Sequence, residues 1–304
     1  MHHFCTSKVN VGYHLVATYF MSKHFPKISV ITASFNQASL LDKCLQNIIA
    51  QNYPALEILV IDGGSDQATL EVIQKYAQKI DYWVSEKDAG IYDAYNKGIA
   101  KATGDFLYFI GNDDVLRPNA LNELFGDTSL WDKDLIYGQA FSERFKKNVG
   151  EAITTDHILF QSICHQATFY RRSLFDKLGY YDTKYSLKAD HVFHIRCFAD
   201  SAIKKQFVPK VIANYGGFGT SAKKFDADYW FDEPQLSKQI FKQQLSTGTI
   251  EKFAQTAEIK QIYASLRHEK LLPAMQKWAS YLWQKPQKFT HFKKGVFWLA
   301  MRFS

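Results

Sequence analysis

The sequence predicts an open α/β fold: a mostly parallel central sheet flanked by helices on both faces, followed by a helical C-terminal extension. Two observations predict it. Short apolar, β-branched runs alternate with segments whose apolar residues recur at helical spacing, the mark of βαβ units. The chain has 304 residues, 46% of them hydrophobic, enough to bury a large core. Right-handed crossovers between parallel strands then give the sheet a Rossmann-like form.

The first run, Lys27–Ala33 (KISVITA), reads as a strand buried on both faces. Leu40, Leu41, Cys44, Leu45, Ile48 and Ile49 follow at helical spacing, and Asn52-Tyr53-Pro54 stops that helix because proline cannot continue it. The second strand, Glu57–Ile61, ends at Asp62-Gly63-Gly64-Ser65. Next come a helix near Thr69–Gln78, a strand at Tyr82–Ser85, a helix over Ile91–Ala100 closed by Gly104, and a strand at Phe106–Ile110. Pro118 suits a first helical turn and opens a helix to about Phe125. Beyond Asp134 the rhythm loosens into strands at Leu135–Tyr137, Ala167–Tyr170 and Val211–Tyr215, a helix at Ser173–Leu178 and another from Ala189. The loop Gly216–Gly219 reads equally as a plain turn or as a place where backbone approaches substrate. From Tyr229 onward the pattern is helical and basic.

A formal net charge of +7 favours an anionic partner. The basic residues are scattered rather than clustered, so no nucleic-acid partner is expected. Cys5, Cys44, Cys164 and Cys197 form no CxxC pair, which argues against a zinc ribbon and a disulfide framework and for a reducing compartment. No apolar stretch reaches the roughly 18 residues of a membrane span, and the N-terminus lacks a signal layout. The expected location is cytoplasmic.

In open α/β sheets ligands bind outside the carboxyl ends of the strands. Here those ends are acidic. Thr32, Ser34 and Asn36 follow the first strand, Asp62 the second, Glu86 and Asp88 the third, and Asp113-Asp114 the fourth. Carboxylates gathered without a counter-ion repel one another, so a divalent cation or a donor-rich ligand is expected among them. For Asp62 and Asp88 singly, capping of the next helix is an equal alternative. Hard oxygen ligands beside a substrate phosphate suit Mg²⁺ or Mn²⁺. Neither GxxxxGKS/T nor GxGxxG is present, which excludes a P-loop and a dinucleotide fingerprint.

The run KISVITASFNQASLLDKCLQNIIAQNYPALEILVIDGGSDQATLEVI, with SEKDAGIYDAYNKGIAKATGDFLYFIGNDDVL after it, resembles the nucleotide-binding half of family 2 glycosyltransferases with the GT-A fold. The likeness is close over Lys27–Leu124 and looser to about Thr220. It implies a nucleoside-diphosphate sugar as partner, a UDP-sugar first, and a divalent cation, Mn²⁺ or Mg²⁺, as cofactor. Thr32 and Asp62 match residues contacting the base, with Ser34 and Asn36 in the same binding set. Asp88 and Asn96 match the loop and helix facing the nucleotide, Asp113 the residue near ribose and metal, and Asp114 the metal ligand. Gly111-Asn112-Asp113-Asp114 departs from the more usual Asn-Ala-Asp-Asp, and Tyr95 stands where many relatives carry arginine.

HQATFYRRSLFDKLGYYDTKYSLKADHVFHIRCF resembles the acceptor-side segment of the same enzymes. Asp190 then matches the catalytic base of an inverting displacement, and His165 and Gln166 match positions near the acceptor or donor sugar. An N-cap is the alternative for Asp190. His191 and His194, with Cys197 or His165, could also bind metal, although such a helix face is more often packing. The implied organisation is an N-terminal extension over 1–26, a GT-A catalytic domain over 27–225 with halves 27–125 and 126–225, and a helical basic region over 226–304. The implied acceptor is a glycan or lipid-linked hydroxyl in cell-surface polysaccharide synthesis. The basic, aromatic tail 289–304 suits either peripheral contact with an anionic membrane at its inner face or docking onto the catalytic domain. A nucleotidyltransferase and an inactive nucleotide-sugar-binding module are the alternative functions.

Overall fold

The computed structural model describes residues 25–216, 226–241, 248–249 and 252–253. Its first elements follow the predicted alternation: β1 (Ile28–Ser34), α1 (Ala38–Ile49), β2 (Leu56–Asp62), α2 (Gln67–Lys75), β3 (Tyr82–Ser85), α3 (Ile91–Lys101) and β4 (Phe106–Gly111). Then come β5 (Val115–Leu116), α4 (Ala120–Phe125), β6 (Leu135–Ser142), β7 (Lys147–Val149), β8 (Thr168–Arg171), α5 (Ser173–Leu178), α6 (Ala189–Ala199), β9 (Lys205–Tyr215) and α7 (Ala227–Phe241). They fall into two compact units, one within Met1–Ala152, Cys164–Tyr180 and Ala202–Gly217, the other within Ile153–Ile163, Tyr181–Ser201 and Phe218–Ser304.

The first unit is built on a nine-stranded sheet of order β3-β2-β1-β4-β8-β6-β9-β5, with β7 paired to β6. Strands β3, β2, β1 and β4 are mutually parallel, which the crossover helices allow. Register places Ile28, Val30, Ile58, Val60, Phe106 and Tyr108 on one face, where they join Leu41, Leu45 and Ile48 of α1 in one core. Ile31 and Ile61 face the other way, against α3. A Cβ at Gly98 of that helix would stand 2.5 Å from Ile31 Cγ2, so only glycine lets helix and sheet close this far. Both faces are covered, which is why the parallel strands read as continuous apolar runs.

The looser half departs from expectation for local reasons. β6 continues past Tyr137 to Ser142, and β9 begins at Lys205 rather than Val211. Their pairing shifts register between Tyr137 and Ala140, and Gly138 and Pro209 in this stretch interrupt the apolar pattern that a strand needs to be read. The two-residue β5 and the polar β7 exist through their pairing with β9 and β6. Helix α4 starts at Ala120 rather than Pro118, after Asn119 in the left-handed region at φ 60°. Helix α2 ends at Lys75, three residues early.

At the amino edge of the sheet Glu57 is buried and accepts hydrogen bonds from Lys27 Nζ at 2.6 Å, Thr103 N at 2.9 Å and the Ser29 hydroxyl. Burial alone would raise its pKa; the hydrogen bonds outweigh it and bring the carboxyl down to about 2. A depressed folded-state pKa contributes stability above the unfolded value, which is lost as pH falls from about 4.5 to about 2. Glu57→Gln is expected to cost about 2–3 kcal/mol at pH 7 and to flatten the acid limb of stability, as read by urea melts between pH 7 and pH 3. An unchanged acid limb would contradict this assignment.

In the second unit α6 and α7 pack together, with the His191 ring edge-on to Tyr229 at 5.7 Å. Asp226 caps α7 by accepting from Tyr229 N, and its other oxygen accepts from Leu187 N at 2.7 Å. Among the described residues no helix is long and apolar enough to cross a membrane. The tail 289–304, the loop from 217 to 219 and most of the region 226–304 lie outside the described residues, as does the extension 1–24.

Candidate functional site

Every strand of the parallel set delivers its predicted polar residue to the carboxyl edge of the sheet. Asp62, at the end of β2, is 1% exposed and accepts from Ser65 N at 2.8 Å, Gly64 N at 3.2 Å, the Ser85 hydroxyl at 2.6 Å and the Ser65 hydroxyl. Asn36, left-handed at φ 52°, donates its N–H to Ser65 Oγ, and its side-chain oxygen accepts from Asp66 N, both at 2.8 Å. This network stitches together the loops after β1, β2 and β3. Asp62 is not a helix cap: Asp66 caps α2 by accepting from Thr69 N. Nor is Asp88, since Gly90 occupies the cap of α3.

Asp62→Ala removes the acceptor of four donors. The expected loss is about 2–4 kcal/mol of stability, with looser nucleotide binding on a sheet that still folds. Thermal melts and a nucleotide titration check it, and an unchanged melting temperature would contradict the network.

Asp88 reaches across to the end of β2. A Cβ on Gly63 would stand 2.7 Å from Asp88 Oδ2 and 3.3 Å from the Phe35 ring. Phe35 is 60% exposed, so a bare aromatic ring and a carboxylate flank one glycine. Thr32 is fully buried on the α1 face of β1, and its hydroxyl donates to Asn112 Oδ1 at 2.9 Å. It therefore supports the loop after β4 from below. Ser34 is also buried, and its hydroxyl has no hydrogen-bond partner among the described residues. Asn96 lies half-buried on α3.

Gly111 lets the acidic pair converge: a Cβ there would stand 3.1 Å from Asp113 Oδ1 and 3.1 Å from Asp114 Oδ2. Asp113 is exposed, while Asp114 is buried. Burial, and then the neighbouring charge of Asp113, push the Asp114 carboxyl up to about 8, against smaller opposing hydrogen bonds from the Gly111 backbone and from Gln166. A buried acid held that far from its ordinary ionisation is a donor set that wants a cation. Among the described residues no group of three or more His, Cys, Asp or Glu side chains gathers around a metal position, so the pair would need water and ligand oxygens to complete a Mg²⁺ or Mn²⁺ shell. The pair fits such an ion in chemistry and convergence.

Gln166 thus meets Asp114, and its orientation is constrained: Cys164 Sγ lies 3.5 Å from Gln166 Oε1, and the Tyr108 hydroxyl donates to Gln166 O at 2.8 Å. His165 is built into an aromatic layer with Tyr95 at 5.8 Å and Phe109 at 5.9 Å. Tyr95, 2% exposed, belongs to that layer and offers no surface to a diphosphate. Lys97, one turn along α3 from Asp93, bridges Glu86 at 2.9 Å and Asp93 at 3.6 Å.

In the second unit Asp190 stands in the first turn of α6, half-buried. The cap position belongs to Lys188, which makes no side-chain cap, so the capping alternative for Asp190 does not hold. His191 is engaged by the Ser162 hydroxyl, and Cys44, Cys164 and Cys197 are in no disulfide. The sequence reading missed Phe35, Ser65 and Ser85. An aromatic residue just past the first strand, a serine after the Asp62 turn and a serine just before Glu86 were the available signals.

Residues 29–207 match the family model described as glycosyl transferase family 2. The PGL/p-HBAD biosynthesis glycosyltransferase of Mycobacterium tuberculosis is 36% identical over 200 residues, which are 64% of this chain and 78% of that protein. Among solved structures, Staphylococcus aureus TarS 1-349 in complex with UDP-GlcNAc superposes with TM-score 0.64 at 17% identity, over 84% of this chain and 79% of that one. Against another S. aureus TarS structure the chain spans 44% of the chain compared. The mannosyltransferase PcManGT of Pyrobaculum calidifontis, in complex with GDP-Man and Mn²⁺, gives TM-score 0.58 at 16% identity, over 96% and 91% of the two chains. The likeness to these solved structures shows a GT-A, Rossmann-like fold, and the family model and the mycobacterial relative show a glycosyltransferase. The chain belongs to glycosyl transferase family 2.

Proposed function

We propose that the chain moves a sugar, with inversion, from a nucleoside-diphosphate sugar, a UDP-sugar first, to a hydroxyl of a glycan or lipid-linked acceptor in cell-surface polysaccharide or glycolipid synthesis. The observation that carries the donor half is the convergence of buried Asp114 and exposed Asp113 over Gly111 at the carboxyl edge. Complexes of structural neighbours with UDP, UDP-GlcNAc, and GDP-Man with Mn²⁺ support a nucleotide sugar and a divalent cation. The mycobacterial relative's part in PGL/p-HBAD biosynthesis supports a cell-envelope product.

In this reading Phe35, Asp62 and Asp88 line the base and ribose end, with Asn36 holding their loops together. Ser34 supplies a buried hydroxyl that a ligand or water satisfies. Asp114 and Asp113 would hold the cation, which would offset charge on the departing diphosphate. Gln166 orients the Asp114 carboxylate. The acceptor oxygen attacks the anomeric carbon as the bond to the β-phosphate oxygen breaks, and that oxygen keeps the electron pair. Asp190, assigned by resemblance, takes the acceptor's proton. The catalytic domain spans 27–225, and the enzyme works in the cytoplasm at the inner face of the membrane, with the tail 289–304 as a peripheral contact.

The test is a thermal-shift titration of UDP with Mn²⁺ at pH 6 and pH 8.5. Below about 8 the cation must displace the Asp114 proton, so apparent Mn²⁺ affinity is expected to fall by up to about tenfold per pH unit. A Mn²⁺ response independent of pH, or absent at both values, would count against the pair as the cation's ligands.

A further inference from the structure

We propose that the tip of the β6–β7 hairpin, Arg144-Phe145-Lys146-Lys147, is a docking surface for an anionic lipid bilayer, distinct from the tail. Phe145 is 57% exposed at the turn, among the most exposed large apolar side chains of the described residues. Residues 144–148 are all exposed. The Arg144 guanidinium lies 5.3 Å from the centre of the Phe145 ring, a cation carried on the apolar group. The turn's carboxylate, Glu143, pairs with Lys146 at 2.8 Å, leaving the tip cationic overall.

Sheet register extends the surface. Val115 pairs with Asn214, Asn214 with Phe141 and Phe141 with Asn148, and residues directly opposite one another share a face. Val115 is 44% exposed, and the Arg117 guanidinium lies 6.0 Å from the Phe141 ring centre. At the hairpin tip an exposed aromatic ring among three cations, with Glu143 paired to Lys146, matches an anionic interface, where aromatic rings enter the headgroup layer and arginine and lysine meet lipid phosphates.

The position has a consequence. β6 is antiparallel to β8, which is antiparallel to β4, so the hairpin leaves the same sheet edge that carries Asp62 and Asp114. Val115 directly follows Asp114, and β6 lies two strand spacings away, about 10 Å. A bilayer held at this tip therefore sits beside the acidic edge, where a lipid-linked hydroxyl would have to arrive. The surface goes beyond the donor-site reading and does not depend on it.

Full-length protein is sedimented with vesicles of phosphatidylglycerol and phosphatidylcholine, and with phosphatidylcholine alone, at 0.1 M salt. Wild type is expected to partition into the anionic vesicles only. Each cation near such a surface is worth about fivefold, so Arg144→Glu with Lys147→Glu should reduce partition at least thirtyfold, roughly. Phe145→Ser should reduce it about tenfold. Melting temperatures unchanged from wild type keep the comparison about the surface rather than the fold, without using nucleotide binding. Equal partition of variants and wild type overturns the proposal, as does equal binding to neutral vesicles. So does loss of binding to a soluble acidic polysaccharide with vesicle binding intact.

Discussion

Asp114→Asn is expected to lower sugar transfer by roughly 10³-fold or more while making the ligand-free protein more stable near pH 8. Loss of a ligand to the cation removes several kcal/mol of charge stabilisation on the leaving diphosphate. The stability change has the opposite sign because the native carboxyl is raised to about 8 by burial and Asp113. An acid with a raised folded-state pKa favours folding below its unfolded value, and that contribution drains away as pH climbs toward 8. Asparagine carries no charge to bury, so the variant's melting temperature should exceed wild type's at pH 8 and approach it near pH 4. Transfer and thermal melts on the same preparations check both halves. A purely structural Asp114 would lose stability and activity together.

Asp190→Asn is the second large effect. Asparagine keeps size and hydrogen bonding but cannot take the acceptor proton, so turnover should fall by roughly 10²–10⁴-fold while donor affinity persists. Because Lys188 rather than Asp190 occupies the cap of α6, no capping energy confounds the substitution. Nucleotide affinity and transfer to an acceptor are measured side by side. Near-normal transfer with unchanged affinity would falsify the base assignment.

The parallel half of the fold was legible because physics wrote it locally. A strand covered on both faces must be apolar throughout, as in Ile28–Ser34 and Phe106–Gly111, and the polar residue that ends each run marks the carboxyl edge. The mixed half was less legible because its strands are specified by pairing. Pro209 and Gly138 would end a strand by propensity alone, yet the shifted register between β6 and β9 accommodates both. In the site, the acidic residues were visible as types and positions. Their supports were not: Ser85 acts on Asp62 from the end of the next strand, and Gln166 acts on Asp114 from a segment about fifty residues away in sequence. Thr32, expected at the base, is fully buried and its hydroxyl donates to Asn112. That depth follows from which strand face it occupies, something the register fixes and a motif does not.

Binding of a nucleoside diphosphate at the carboxyl edge, through a divalent cation held by Asp113 and Asp114, is the central proposal. Isothermal titration of UDP into the full-length protein at pH 8, with Mn²⁺ and then with the metal removed by chelation, tests it directly. Saturable binding is expected with Mn²⁺, weakening about tenfold or more once the cation is gone, with no cation dependence in Asp114→Asn. Equal UDP affinity with and without Mn²⁺, or a cation effect that survives in Asp114→Asn, would contradict it.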